Sequence, residues 1–328
     1  MVSRTPSPGH GLSDHDLTIT ARYLYEIADY DECLTLIALG RGAARDKKSL
    51  HYAHLLNTEG TTHYEMNKIS LSRRALQETL EIREIHLPEN DGELANVYAN
   101  LGNAETAEGN LDLAMEYLEK AAHIREGIGD KAAVLLALNY LQIGRVLALK
   151  EQFTAAYTMY QKSEGVLNKE VGRNSIFTAN LHFAYGNLEL VQREFRSAAR
   201  SFDRTRKIMK DYNPMHPLMA AAFYKLACCE FEQDNHKKAL GYLAKAQDIA
   251  EIRSGFMIDG TVARIMWKRG EVMSDDPLES QKEAAQFMEN MEFKQREIAE
   301  QLGIDLQGLD QLADKEKSFD LLVPGYFR

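Results

Sequence analysis

The sequence predicts an all-α protein, a right-handed α-solenoid of stacked antiparallel helix pairs. Three observations carry that prediction. A small residue recurs about every 42 positions, a second small residue keeps step twelve positions behind it, and turn-forming segments separate the units. The first series is Gly60, Gly102, Gly144 and Gly186, spaced 42 apart, with Ala227 following after 41. Ala21 precedes Gly60 by 39, and Gly270 follows Ala227 by 43 in a looser alignment. A fixed period of this length is the signature of a repeat architecture, in which each unit packs only on its neighbours.

The second series is Ala114, Ala156, Ala198 and Ala239, with Cys33 and Ser72 in the same slot of the first two units. Four residues later comes a large side chain: Ile37, Leu76, Leu118, Tyr160, Phe202 or Leu243. Two helices of one unit approach closely where a small residue permits it, and the large i, i+4 neighbour fills the adjoining groove. Between the best units lie His86–Asp91, Gly127–Asp130, Gly172–Asn174 and Asn213–Pro217, rich in Pro, Gly and Asn, which end helices. No long stretch alternates as a strand does.

The spacing of Tyr98, Leu101, Gly102, Ala114, Leu118 and Ala121, repeated at Tyr140, Ile143, Gly144, Ala156 and Tyr160, resembles the tetratricopeptide repeat (TPR) signature. The 42-residue period and the stretch from Leu80 to Gly102 are similar to kinesin-light-chain-type repeats, such as those in the repeat regions of fungal NACHT and NB-ARC signalling proteins. The resemblance spans roughly residues 14 to 300 and implies a TPR solenoid. The fold hosts many partners, so it does not imply one function.

Residues 1–13 are expected to be a flexible N-terminus, 14–270 the array of about six repeats, and 271–328 a C-terminal helical repeat and cap. In the last region a helix is expected from Leu278 to Leu302, stopped by Gly303, then a short amphipathic piece from Leu306 to Ala313. The tail Phe319–Arg328 is strongly apolar. It reads as a cap folding back on the final repeat, or alternatively as a motif bound by another chain.

Composition narrows the function. The net charge of −10 argues against nucleic acid, which demands a basic face. From Glu271 onward there are 14 acidic and 6 basic residues, so most of the negative charge is C-terminal: a solvated cap, or a docking surface for a basic partner. No signal-peptide pattern and no run of about 18 apolar residues occurs, so the expectation is a cytoplasmic protein off the membrane. Cys33, Cys228 and Cys229 lack metal spacing and fit buried free thiols in a reducing compartment. His51 and His54 sit three apart with no third ligand at metal spacing, and read as a structural pair. No phosphate-binding loop, nucleophile elbow or dinucleotide fingerprint is present. No catalytic residue, cofactor or metal is therefore expected.

A ligand of such an array would lie on the concave face lined by the first helices. Counting six before, three before and one after each central small residue gives His54, Asn57 and Thr61, then Asn96, Ala99 and Asn103. The next units give Leu138, Leu141 and Arg145, then Asn180, Phe183 and Asn187, then Ala221, Tyr224 and Cys228. Asparagine recurs although it is a poor helix former, and its amide can pair with both backbone groups of an extended peptide. Kinesin-light-chain-like grooves, by resemblance, use asparagines in this way. The competing reading is that these amides bond between adjacent helices. Arg145 offers a cation to a partner carboxylate, or else pairs with Glu105 or Glu189. Phe183, Tyr224 and Tyr64 are groove walls or core.

Three function classes follow: a protein- or peptide-binding scaffold, which an open polar groove would favour; an enzyme or small-molecule binder whose groove closes into a pocket; and a self-assembling structural subunit, a homo-oligomer.

Overall fold

The structure is a computed structural model that describes residues 14–275 and 281–327. The expected flexible residues 1–13 and the expected helix start at Leu278 lie outside them. Among the described residues there is no strand, and seven antiparallel helix pairs follow one another. They are α1 (Asp14–Glu26) with α2 (Tyr30–Ala43), α3 (Leu50–Glu65) with α4 (Ile69–His86), and α5 (Gly92–Glu108) with α6 (Leu111–Ile128). Then come α7 (Ala133–Leu149) with α8 (Phe153–Glu170), α9 (Ile176–Val191) with α10 (Phe195–Tyr212), and α11 (Pro217–Phe231) with α12 (His236–Arg253). The last pair is α13 (Gly260–Asp275) with α14 (Gln281–Leu302), followed by the short helices α15 (Leu306–Gln311) and α16 (Lys315–Asp320).

The two small-residue series meet as their spacing requires. A Cβ at Gly60 would stand 2.6 Å from Leu76 Cγ and 3.2 Å from the Ser72 carbonyl oxygen. At Gly102 the same two distances run to Leu118 and Ala114. Gly144 faces Tyr160 and the Ala156 carbonyl, and Gly186 faces the Phe202 ring. Backbone thus approaches backbone where the side chain is missing, and the large residue packs over the gap. In the seventh pair Gly270 faces Phe287 and Met288, a longer offset that explains its looser alignment.

The turn inside each pair repeats in a way that residue type conceals. Seven residues after each central small residue lies a left-handed residue: Ala28, Asn67, Gly109, Glu151, Arg193 and Asp234, with φ between 57° and 89°. The next residue's N–H reaches back five residues, as Lys68 does to His63 and Gln152 to Leu147, both at 2.8 Å. These are Schellman closures, which usually take glycine at the left-handed position. Here only one of the six is glycine. First helices start on side-chain caps: Ser49 accepts from the Tyr52 N–H, Asp91 from Glu93, Ser175 from Thr178 and His216 from Leu218.

The stretch Leu111–Leu149 contains an 18-residue window apolar enough, by length and composition, to cross a membrane. It comprises α6, a 3₁₀ turn and α7, and α7 packs between α6, α8 and α9 in the stack.

Candidate functional site

The C-terminal residues do more than cover the final repeat. Phe319 and Leu322 are buried with Ala263, Trp267, Met291 and Ile298, and the Phe319 ring stacks on Trp267 at 5.2 Å. These contacts lie against the last helix pair. Beyond it the chain enters the array. Val323 and Phe327 join the core cluster of α9, α11 and α13, and the Phe327 ring meets Phe183 edge-on at 6.1 Å. Gly325 passes so close to α5 that a Cβ there would lie 2.9 Å from Ala107 Cβ and 3.8 Å from the Tyr64 hydroxyl. Asn67, at the end of α3, donates its amide to the Leu321 carbonyl at 2.8 Å. A segment of about a dozen residues therefore touches first helices or their ends in the second, third, fifth, sixth and seventh repeats.

Two buried cations of α13 hold it. Arg264, 1% exposed, donates to Asp320 at 2.8 Å and to the Phe327 carbonyl at 3.2 Å, while its guanidinium lies 4.1 Å over the Tyr224 ring. Lys268 donates to Glu316 at 2.6 Å and pairs with Glu271 on its own helix at 2.5 Å. Glu316 also accepts from the Tyr224 hydroxyl at 3.0 Å and from the Cys228 thiol at 3.7 Å. Burial opposes ionisation of Glu316, but the Lys268 ammonium and the hydrogen bonds outweigh it and hold its carboxyl below the usual range. Burial, with Glu316 adjacent, pushes the Cys228 thiol up to about 12, which keeps it protonated and inert.

The residues selected from sequence divide into three groups. Phe183 and Tyr224 are fully buried, the first against the Phe327 ring and the second bonded to Glu316. Asn57, Asn96, Thr61 and Leu141 are committed within the array. Asn57 accepts from Asn100 at 3.1 Å, which ties two repeats together. Asn96 accepts from Arg125 at 2.8 Å. The Thr61 hydroxyl donates to the Thr58 carbonyl on its own helix at 3.0 Å. Leu141 is buried with Tyr160 and Leu181. The Arg125 contact is itself a repeat: Arg83, 42 residues earlier, contacts His54 at 3.1 Å, and each arginine also reaches a carbonyl in the next first helix. Asn57 and Asn96 thus each bond to a neighbouring helix.

Asn103, Asn180, Asn187 and Arg145 form the third group and are half-buried. The Asn187 side-chain oxygen is shielded from solvent and has no hydrogen-bond partner among the described residues. The two carboxylates considered for Arg145 are engaged elsewhere, Glu105 by Arg73 and Asn110 at 2.7 Å each and Glu189 by Ser201 at 2.6 Å.

Sequence reasoning missed Arg264, Lys268, Asn67 and Ala107. Counting six back from Gly270 lands on Arg264, so the signal was present at the weakest repeat. Two surface depressions, of about 800 and 580 Å³, lie at inter-helix turns around Arg193–Arg200 and Ala43–Ser49. Among the described residues no group of three or more His, Cys, Asp or Glu side chains is placed to hold a metal.

Two tetratricopeptide-repeat family models match, over residues 94–128 and 183–251. The chain carries tetratricopeptide repeats. Two solved Rap structures agree with the helical fold. A Rap protein complexed with Competence and Sporulation Factor aligns over 90% of this chain and 80% of its own, at 12% identity and TM-score 0.62. The apo form of RapI aligns over 87% of this chain and all of its own, at 14% identity and TM-score 0.56. The repeats of a putative kinesin light chain from Podospora anserina align over 65% of this chain and all of their own, at 13% identity and TM-score 0.46. No curated protein matches the TPR chain by sequence.

Proposed function

We propose that this TPR protein holds a peptide or an extended protein segment along its concave face. One observation supports the reading: first helices of several repeats, which would line that face, already hold a polypeptide segment, residues 316–327. They do so through side chains of separate repeats that bond the segment's carboxylates and carbonyl oxygens. The fold likeness to a Rap protein solved with a bound factor supports it. Asn103, Asn180, Asn187 and Arg145 would supply polar contacts beyond those the tail uses, and the Asn187 oxygen is an acceptor still to be met. The three free, buried cysteines fit a reducing compartment such as the cytoplasm.

The test is affinity capture of partners on the full chain, compared with Asn103→Ala/Asn187→Ala. Loss of the captured partner at an unchanged melting temperature is expected. Each lost bond contributes about 0.5–1.5 kcal/mol. Equal capture with lowered stability would assign these two asparagines to the stack, like Asn57 and Asn96.

A further inference from the structure

We infer that the tail is a stand-in for the ligand, and that the groove takes, in trans, a peptide of the tail's own chemistry: two carboxylates four residues apart, followed by an apolar run with an aromatic residue. The inference rests on the reading of the concave face as a peptide site and adds the ligand class and a gate. Its basis is how the tail is held. A helix that merely completes a solenoid packs on its neighbour through a continuous apolar face. Residues 316–327 touch α16's neighbour α13 but also the ends of α3 and α5, the middle of α9 and the inner face of α11.

The recognition is chemically selective. Glu316 and Asp320 lie one helical turn apart in α16, and each meets its own buried cation, Lys268 and Arg264. Lys225 on α11 is buried nearby and adds to the positive field at Glu316. Without the tail, Arg264 loses its one ion-pair carboxylate among the described residues, and Lys268 keeps Glu271 alone. A segment that covered these cations without pairing them would leave buried, uncompensated charge, which is costly, so the groove selects carboxylates at that spacing. Beyond the acids, Phe183 and Tyr224 offer an apolar slot that Val323 and Phe327 fill.

The gate follows from geometry. The same cations and the same slot cannot serve two segments at once, so a trans peptide binds only when the tail leaves. A tethered competitor acts at an effective concentration near millimolar, which depresses apparent trans affinity by orders of magnitude. The tail passes two tight points. One is at Gly325 against Ala107. The other is at Gly260, where a Cβ would lie 2.8 Å from Leu322 Cβ. A side chain at Gly325 expels the tail without altering the groove, whereas one at Gly260 would stay in the groove and exclude a trans peptide as it excludes the tail.

The experiment uses the full chain as wild type, Gly325→Val and Gly325→Leu, each checked for helicity by circular dichroism. The probe is a fluorescent peptide of residues 314–328, read by anisotropy beside the same peptide carrying Glu316→Lys and Asp320→Lys. Either tail-expelled variant is expected to bind the native peptide at least about tenfold more tightly than wild type, and neither to bind the charge-reversed peptide. Equal binding by wild type and variants removes the gate. No binding by two folded variants, or equal binding of the charge-reversed peptide, overturns the ligand class. A random-peptide selection on Gly325→Val separates the two levels. Enriched peptides lacking the paired acids defeat this inference and leave peptide binding standing; a selection that enriches nothing defeats peptide binding itself.

Discussion

Arg264 and Asp320, 56 residues apart, form a 2.8 Å ion pair in which the guanidinium is almost wholly buried. The pair links the first helix of the last repeat to the C-terminal segment, so its loss reports on tail docking. Breaking one side of a buried pair ordinarily costs about 3–5 kcal/mol. Here the tail can undock and let water reach Arg264, which caps the penalty. Asp320→Ala is therefore expected to lower the melting temperature by several degrees while leaving the helical content intact. Arg264→Met in the same background is expected to recover part of the loss, since it removes the stranded cation. A double-mutant cycle in thermal melts measures this, and purely additive effects would contradict the pairing.

Gly144→Ala tests the packing register. The added Cβ would lie 2.6 Å from Tyr160 Cδ1 and 3.2 Å from the Ala156 carbonyl oxygen, so ring and backbone must both shift. Overpacking of this kind costs about 1–3 kcal/mol. A melting temperature equal to wild type would show that α7 and α8 do not approach as described.

Glu151→Gly tests the intra-repeat turns in the opposite direction. Glu151 is exposed and sits at φ 59°, where an L side chain is strained. Glycine there is expected to stabilise the protein by about 0.5–1 kcal/mol, although it removes a side chain and adds chain entropy to the unfolded state. Denaturant unfolding would show it, and a destabilised variant would contradict the strain.

These turns mark what the sequence hides. The packing slots were legible because Gly144 and Tyr160 obey sterics that exclude most alternatives. The left-handed position was not, because Ala28, Glu151, Arg193 and Asp234 are ordinary residues held there by closures that the packed pairs impose. The groove divided similarly. Phe183 and Tyr224 fall at inward positions by counting alone, whereas Asn57 and Asn96 look alike in sequence yet bond within the stack. Their partners, Asn100 and Arg125, come from a neighbouring repeat and from the paired second helix, which spacing along one helix does not reveal. The tail's path depends on contacts such as Asn67 with Leu321, 254 residues apart.

Acid sensitivity follows from His216, whose ring Nδ1 accepts the Leu218 N–H at the start of α11. Burial, with Arg253 contributing, lowers its pKa to about 4. The unfolded chain, with an ordinary histidine value of about 6.5, takes up the proton first as pH falls. Stability from this group is thus full above pH 6.5 and declines toward pH 4, by up to about 2–3 kcal/mol. His216→Asn keeps a capping acceptor that does not titrate, so its stability curve is expected to be flatter over that interval. An unchanged slope would assign the acid sensitivity elsewhere.

The central claim, that the tail occupies the groove, is tested most directly by the reactivity of Cys228. All three thiols are buried, and Cys228 alone contacts the tail, through Glu316. Native wild-type protein treated with a maleimide near neutral pH, followed by peptide mapping, is expected to remain unlabelled at Cys33, Cys228 and Cys229. Gly325→Val is expected to label at Cys228 alone, and the residue 314–328 peptide added in trans is expected to protect it again. Wild-type Cys228 reacting as fast as in the unfolded chain, or Gly325→Val labelling no faster than wild type, would contradict the account.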